Sequence, residues 1–402
     1  MKQIIFHIDV NSAYLSWTAV EQLNNGVAED IRNIPAIIGG SQESRHGIVL
    51  AKSVPAKKFG IKTGEPVAHA LRKCPELKIY PPNHKMYEEY SAQLMEFLRD
   101  YTPDIEQVSV DECYLDFTGI AHRYHSPIDA AFEIKDAILK KFGFTVNIGI
   151  SVNHLLAKMA SDFEKPNKVH TLFPEEIQVK MWPLPVSELY MAGRSSVEVL
   201  QKLEIRTIGE LAKADPNLLE LHLKSHGRTL WEFANGIDSA KVIRDHVENK
   251  GIGNSVTLPK DVTKEREARE VLLWLAQTVG GRLRKEGQKA GMVSVEIKYH
   301  TFQTVSHQKQ LVQATYADQV ICETACTLFR ELWNGEPVRL LGIRTSKLVD
   351  DEAPEQMDLF EFQQTLEMHT SRKEKQNKLD KALDRIRNKY GEDAVTRGTF
   401  LK

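Results

Sequence analysis

The chain is poor in the features that mark secretion, membranes and zinc. Its 402 residues include four cysteines, Cys74, Cys113, Cys322 and Cys326, and none stands in a C-x-x-C pair. No group of His and Cys has zinc-ligand spacing. Scattered thiols fit a reducing compartment. Cys322 and Cys326 lie one helical turn apart in an apolar pattern and are expected in a core. No apolar run approaches the roughly 20 residues that cross a bilayer, and the N-terminus has no signal-peptide pattern. A cytoplasmic protein without a membrane partner is expected. Charge of one sign is also lacking: 53 Lys and Arg face 55 Asp and Glu, a formal net charge of −2. Bulk charge thus gives no hint of a polyanion ligand.

What charge there is lies unevenly. The length allows about two to four domains. From Asn249 to Leu348, 15 Lys and Arg stand against 10 Asp and Glu, whereas Val349 to Ser371 holds seven acids and no Lys or Arg. A basic domain followed by an acidic stretch fits a polyanion-binding module and a linker; a solvated surface of mixed charge gives the same count.

Two acidic places interrupt strand patterns. In Val108-Ser-Val-Asp-Glu-Cys-Tyr-Leu-Asp-Phe117, apolar residues alternate on either side of Asp111-Glu112. Adjacent strand residues point to opposite faces, so both carboxylates serve one site only at a bend or strand end. Ile4-Ile-Phe-His-Ile8 likewise reads as a strand and runs into Asp9-Val-Asn11. Acidic turn residues are one reading. The other is a hard-cation site, since Mg²⁺ takes oxygen ligands and usually one or two carboxylates plus phosphates.

Further along, short strands are expected at Ala36–Gly39 and Gly47–Ala51, with a basic patch at Lys52, Lys57, Lys58 and Lys62. Amphipathic Met86 to Arg99, a hairpin at 105–117, a helix at Pro127 to Phe142 and a strand at Phe144 to Ile150 follow, then a helix at about Asn153 to Asp162. This order reads as a βαββαβ unit with a small insertion. After Asn167 a compact helical stretch is expected, including a helix capped by Ser195 or Ser196. A second α+β region has strands near 256–259, 292–298 and 338–343 and helices near 265–286 and 317–333. Lys378 to Tyr390 is basic and amphipathic, with Leu379, Leu383 and Ile386 at helical spacing.

Several strings, taken in order, resemble the Y-family, or translesion, DNA polymerases. They are Asp9-Val-Asn-Ser-Ala-Tyr14, Ala56-Lys-Lys-Phe-Gly-Ile-Lys-Thr-Gly64, Ser109-Val-Asp-Glu-Cys-Tyr-Leu-Asp116, Gly149-Ile-Ser-Val-Asn153, Leu156-Ala-Lys-Met-Ala-Ser-Asp162, Lys165-Pro-Asn167, Leu184-Pro-Val186, Gly251-Ile-Gly-Asn254 and Arg339-Leu-Leu-Gly-Ile343. The resemblance implies an α+β multidomain, right-hand-like polymerase. It would have a ferredoxin-like palm (1–169) with small fingers inserted at about 18–77, and a helical thumb of helix-hairpin-helix type (170–237). A linker (238–248), an α+β little finger (249–348) and a flexible tail (349–402) with a clamp-binding motif and a terminal helix would complete it.

The same resemblance implies catalytic Asp9, Asp111 and Glu112, which with the Val10 carbonyl would hold two Mg²⁺ ions. Attack of a primer 3′-hydroxyl on an α-phosphate needs charge neutralised on entering and leaving oxygens, which two metals about 4 Å apart supply. Tyr14 falls at the sugar-discriminating aromatic, with a core tyrosine as the other reading; Lys57 and Lys165 fall at triphosphate-gripping positions. Asn11, Ala13, Val54, Lys57, Lys168 and Met191 depart from common family residues, and Asp-Val-Asn with Ala-Lys looks closer to the polymerase V catalytic-subunit branch than to polymerase IV.

Gln356-Met-Asp-Leu-Phe360 resembles the bacterial sliding-clamp (β clamp) motif, with Gln356, Met357, Leu359 and Phe360 as contacts. The implied function is template-directed translesion synthesis from dNTPs on primer-template DNA, at low fidelity and without proofreading. Accessory SOS proteins and a nucleoid-associated location in the cytoplasm go with it. Two other readings stand beside it: a non-catalytic DNA-binding scaffold with the same fold, and a metal-dependent nuclease.

Overall fold

The computed structural model describes residues 3–40, 47–240, 242, 249–352, 370–391 and 394–395. The chain divides into two compact units that change over between Val247 and Glu248. The first is organised around β1 (Ile5–Val10), whose six residues are all buried. After α1 (Ala13–Asn24) come β2 (Ala36–Gly39), β3 (Val49–Lys52), α2 (Val54–Lys58), α3 (Val67–Lys73) and β4 (Lys78–Tyr80), which form a small sheet of order β3-β2-β4 with its own core. Helix α1 shares itself between neighbours: Ala13, Trp17 and Val20 join the main core, while Leu15 and Ala19 pack with the small sheet. It therefore runs continuously past residue 18, where the insertion was expected to begin.

The chain returns through α4 (His84–Arg99), β5 (Ile105–Gln107), β6 (Glu112–Asp116), α5 (Pro127–Phe142), β7 (Val146–Ser151), α6 (His154–Ser161) and β8 (Val169–Thr171). The sheet order β5-β6-β1-β7-β8, antiparallel except at β7–β8, is the expected βαββαβ arrangement plus one strand. Caps explain the sharp ends of α5: Ser126 Oγ accepts from the Asp129 amide, Pro127 opens the first turn, and Gly143 ends it at φ 75°. Alternation along β1 sorts the two faces. Phe6, Ile8 and Val10 enter the main core, while Ile5, His7 and Asp9 face the other way. Gly149 lets α6 lie directly on β7, for a Cβ there would fall 2.0 Å from the Ala157 carbonyl oxygen.

A helical region follows with α7 (Arg194–Lys202), α8 (Ile208–Lys213), α9 (Pro216–Leu223) and α10 (Ser225–Ala234) around Leu200, Ile208, Leu211 and Leu230. Neither Ser195 nor Ser196 caps α7. Its N-cap is Gly193, without a side-chain bond, and both serines lie within the helix. Met191 carries φ 69°, a left-handed conformation that favours glycine.

The second unit has β9 (Gly251–Val262), α11 (Glu265–Lys285), β10 (Gln288–Tyr299), β11 (Thr304–Thr315), α12 (Asp318–Leu332), β12 (Val338–Asp350) and α13 (Thr370–Tyr390). Its sheet runs β11-β10-β12-β9, and its core includes Cys322 and Cys326, as expected. Strand β11 escapes a hydrophobic-pattern reading because its burial pattern is mostly exposed and it is the edge strand of its sheet. Helix α13 turns acids rather than its spaced apolar residues inward. Leu379 and Ile386 are exposed, whereas Asp380 is buried and Asp384 grips Arg284 of α11. Within the tail, this helix packs on α11 through its acids. Gln356, Met357, Leu359 and Phe360 lie outside the described residues.

Candidate active site

Asp9 stands at the open end of β1, in register with Glu112 on β6 and with Asn147 on β7. All three therefore share the face that carries α6. Asp111 occupies the turn just before β6. Its carbonyl accepts from the Val10 amide at 3.0 Å, and its Oδ1 accepts from Ser109 Oγ at 2.6 Å. The bend turns Asp111 to the cleft, while Glu112, the first residue of β6, pairs with Asp9 of β1.

A cleft of about 510 Å³ opens here, lined by Asp9, Val10, Asn11, Tyr14, Lys52, Val54, Lys57, Asp111 and Lys165, among others. It brings together the residues singled out at Asp9, Val10, Tyr14, Lys57, Asp111 and Lys165. Glu112 is not in its lining and sits behind Asp9. The Tyr14 ring stacks on Tyr87 at 4.3 Å and 9°, and burial, then Asp111, then Tyr87 push its phenol up. Lys52 also faces the cleft; burial, then Lys57, push its ammonium below its ordinary value. Two cations on one wall repel each other, which favours an anion between them.

Two lysines hold the carboxylates. Lys165 Nζ is 2.5 Å from Asp9 Oδ2, and Lys158 Nζ on α6 is 2.6 Å from Glu112 Oε1. Burial still raises Asp9 to about 6, opposed by Lys165. Glu112 is held well below the usual carboxylate range by His7 and then, against its burial, by Lys158. His7 is fully buried beneath it, with Nε2 3.7 Å from Glu112 and Nδ1 2.8 Å from Ser161 Oγ. The role of Lys158 was not read from the sequence; only its place in the Leu156 to Asp162 string pointed there.

Asn11 also finds a use. Its side chain donates to Asn147 Oδ1 at 3.1 Å and accepts from the Asn167 amide at 2.8 Å, so it anchors the Lys165-Pro-Asn167 loop. An Asp here could not make that donation.

Among the described residues, no three His, Cys, Asp or Glu side chains converge as metal ligands. The donor chemistry nonetheless fits a hard divalent cation. Asp9, Asp111 and Glu112 offer only carboxylate oxygens, and two of them already hold ammonium cations.

Comparison with known proteins places the chain among relatives. The impB/mucB/samB family matches residues 8–162, and the C-terminal domain of that family matches residues 249–359. DNA polymerase IV of Clostridium acetobutylicum is 46% identical, over 100% of this chain and 99% of its own. DNA polymerase IV of Acetivibrio thermocellus is 36% identical, over 100% of this chain and 98% of its own. A Y-family DNA polymerase chimera of Dbh and Dpo4 shares the fold, with a TM-score of 0.73 over 86% of this chain and 99% of that one, at 23% identity.

The chain belongs to the Y-family of DNA polymerases. It is a DNA-directed DNA polymerase for translesion synthesis, and the scaffold reading is not favoured. Primer-template DNA and dNTPs are the substrates of the family, and its members work with divalent metal. The expected leaning to the polymerase V branch finds no support, because these relatives are named DNA polymerase IV. No described helix is long and apolar enough to cross a membrane.

Proposed function

We propose that Asp9, Asp111 and Glu112, with the Val10 carbonyl, hold two Mg²⁺ ions in this Y-family polymerase. When bound, the ions neutralise charge on the attacking and leaving oxygens of phosphoryl transfer. The observation that carries the reading is the meeting of Asp9 and Asp111 on one cleft with Tyr14, Lys57 and Lys165, Glu112 standing in register behind Asp9. Lys57 and Lys165 bind the triphosphate as point charges, with Lys52 beside them. Tyr14, braced by Tyr87, closes off the space that a ribose 2′-hydroxyl would need. Small fingers suit an open site that tolerates distorted pairs, and with weak selection by shape fidelity is low.

Residues 1–169 would act as palm with the small sheet as fingers, 170–237 as thumb, and 249–348 as little finger, joined by 238–248. Supporting this are the five-stranded sheet, the helical region and the separate second unit. Gln356, Met357, Leu359 and Phe360 tether the enzyme to a bacterial sliding clamp, and accessory SOS proteins act with it at the nucleoid. Primer extension with Mg²⁺ and dNTPs tests the site. The wild type lengthens the primer and Asp111→Asn does not; equal extension by both would overturn the assignment, and shortening would point to a nuclease.

A further inference from the structure

Five charged groups alternate in sign across the site: Asp9, Lys165, Asp162, Lys158 and Glu112. Lys165 Nζ lies 2.5 Å from Asp9 Oδ2 and 2.8 Å from Asp162 Oδ1. Lys158 Nζ lies 3.5 Å from Asp162 Oδ2 and 2.6 Å from Glu112 Oε1. The ends of this line are the proposed cation ligands. Its centre, Asp162, has no part in the roles given so far. It sits at the C-cap of α6, fixed by its amide to the Met159 and Ala160 carbonyls, and each of its oxygens faces one ammonium.

We propose that Asp162 is a positioning residue: it draws Lys165 off Asp9 and takes up the charge of both lysines when a divalent cation binds Asp9 and Glu112. The inference rests on the assignment of Asp9 and Glu112 as cation ligands. An ammonium and a divalent cation compete for the same carboxylate oxygen, so Lys165 must yield Asp9 Oδ2. An ammonium released into a partly buried cleft without an anion resists release, because desolvated charge needs a partner. Asp162 already supplies that partner 2.8 Å away, so Lys165 can let go of Asp9 with little movement. With Asp162 neutral, Lys165 has Asp9 alone and blocks it. The Asp162 side chain is 46% exposed against 10% for Asp9, so it stands nearer the solvent.

The test reads metal affinity rather than turnover. Mn²⁺ is titrated into the full-length, DNA-free protein, and free Mn²⁺ is followed by electron paramagnetic resonance. Asp162→Asn is expected to weaken Mn²⁺ binding about tenfold in the wild-type background and less than about twofold in a Lys165→Met background, a coupling that a double-mutant cycle isolates. Asp162→Glu, which keeps two oxygens, is expected to restore most of the affinity. An equal loss in both backgrounds would reduce Asp162 to a bystander charge, and no loss in either would leave it idle; both overturn the proposal. If Asp162→Asn does not fold by circular dichroism, Asp162→Ser enters the same cycle. Asp9→Asn checks the underlying assignment separately: wild-type Mn²⁺ binding by that variant would remove the ligand set, whatever Asp162 does.

Discussion

Each unit holds a dense cluster of opposite charges among its described residues, and the two differ in what closes them. In the first, Asp9, Lys165 and Asp162 have side chains 10%, 35% and 46% exposed, and the cluster opens on a cleft. In the second, Arg284, Asp318 and Asp380 are 4%, 2% and 0% exposed. The Arg284 guanidinium there gives Nε and Nη2 to Asp384 at 2.5 and 3.0 Å, and Nη1 to Asp318 and the Tyr316 carbonyl, each at 2.8 Å. Gly280 makes room for this, since a Cβ would fall 2.2 Å from Asp318 Oδ1. Burial opposes the charge, but Asp384 and Asp318 hold Arg284 above its usual value. A planar fork with several fixed donors makes a joint, whereas ammonium point charges beside an open cleft can be exchanged for another cation. Burial of charge alone therefore does not mark a site; access and replaceable partners do.

The largest expected effect separates the clusters outright. Asp9→Ala or Asp111→Ala should lower primer extension by about a thousand-fold or more, several kcal/mol of lost transition-state stabilisation. Primer-template affinity should stay within a few-fold, since phosphate contacts elsewhere carry it. Arg284→Met should do the reverse. Removing one member of a buried pair costs about 3–5 kcal/mol, so thermal melting should fall clearly. Extension per folded molecule should be retained. If Arg284→Met stops extension while melting is unchanged, the second cluster is not a joint and the comparison breaks.

The sequence carried the carboxylates better than their partners. The hairpin at 105–117 was legible because alternation flanks Asp111-Glu112, and the α5 boundaries because Ser126, Pro127 and Gly143 are local caps. Lys165 on Asp9 and Lys158 on Glu112 join residues 156 and 46 positions apart, and no local pattern encodes such a pairing. Helix α13 shows the same limit. Its helical spacing was legible, but Arg284, 100 positions earlier, takes Asp384, and no local pattern shows that the acids turn inward. Asn11 looked like a departure from the family until Asn147 and the Asn167 amide gave its amide work.

Smaller effects sharpen the view of the open cluster. Tyr14→Ala should raise the ratio of ribonucleotide to deoxynucleotide incorporation by about tenfold or more, since a filled space is opened beside the sugar. An unchanged ratio with dNTP activity retained would return Tyr14 to a packing role on Tyr87. Leu359→Ala with Phe360→Ala should leave clamp-free extension unchanged and remove stimulation by a sliding clamp, a tethering effect without new active-site contacts. Equal stimulation of both forms would put the tether elsewhere.

The smallest expected effect concerns the cleft wall. Lys52 and Lys57 are both cationic side chains facing the cleft, and burial and Lys57 push Lys52 below its ordinary value. Such a pair gains when a polyanion enters, because each ammonium relieves the other's repulsion through the shared partner. Both remain partly wet, so solvent screens each contact. Lys57→Ala should therefore raise the KM for dNTP only a few-fold, with kcat nearly unchanged, the pattern of binding lost equally from ground and transition states. Lys52→Ala should cost somewhat more, as the more buried of the two. Raising ionic strength should shrink both effects. KM values that stay at the wild-type level at low salt would assign this wall to the template strand and leave Lys165 to grip the triphosphate alone.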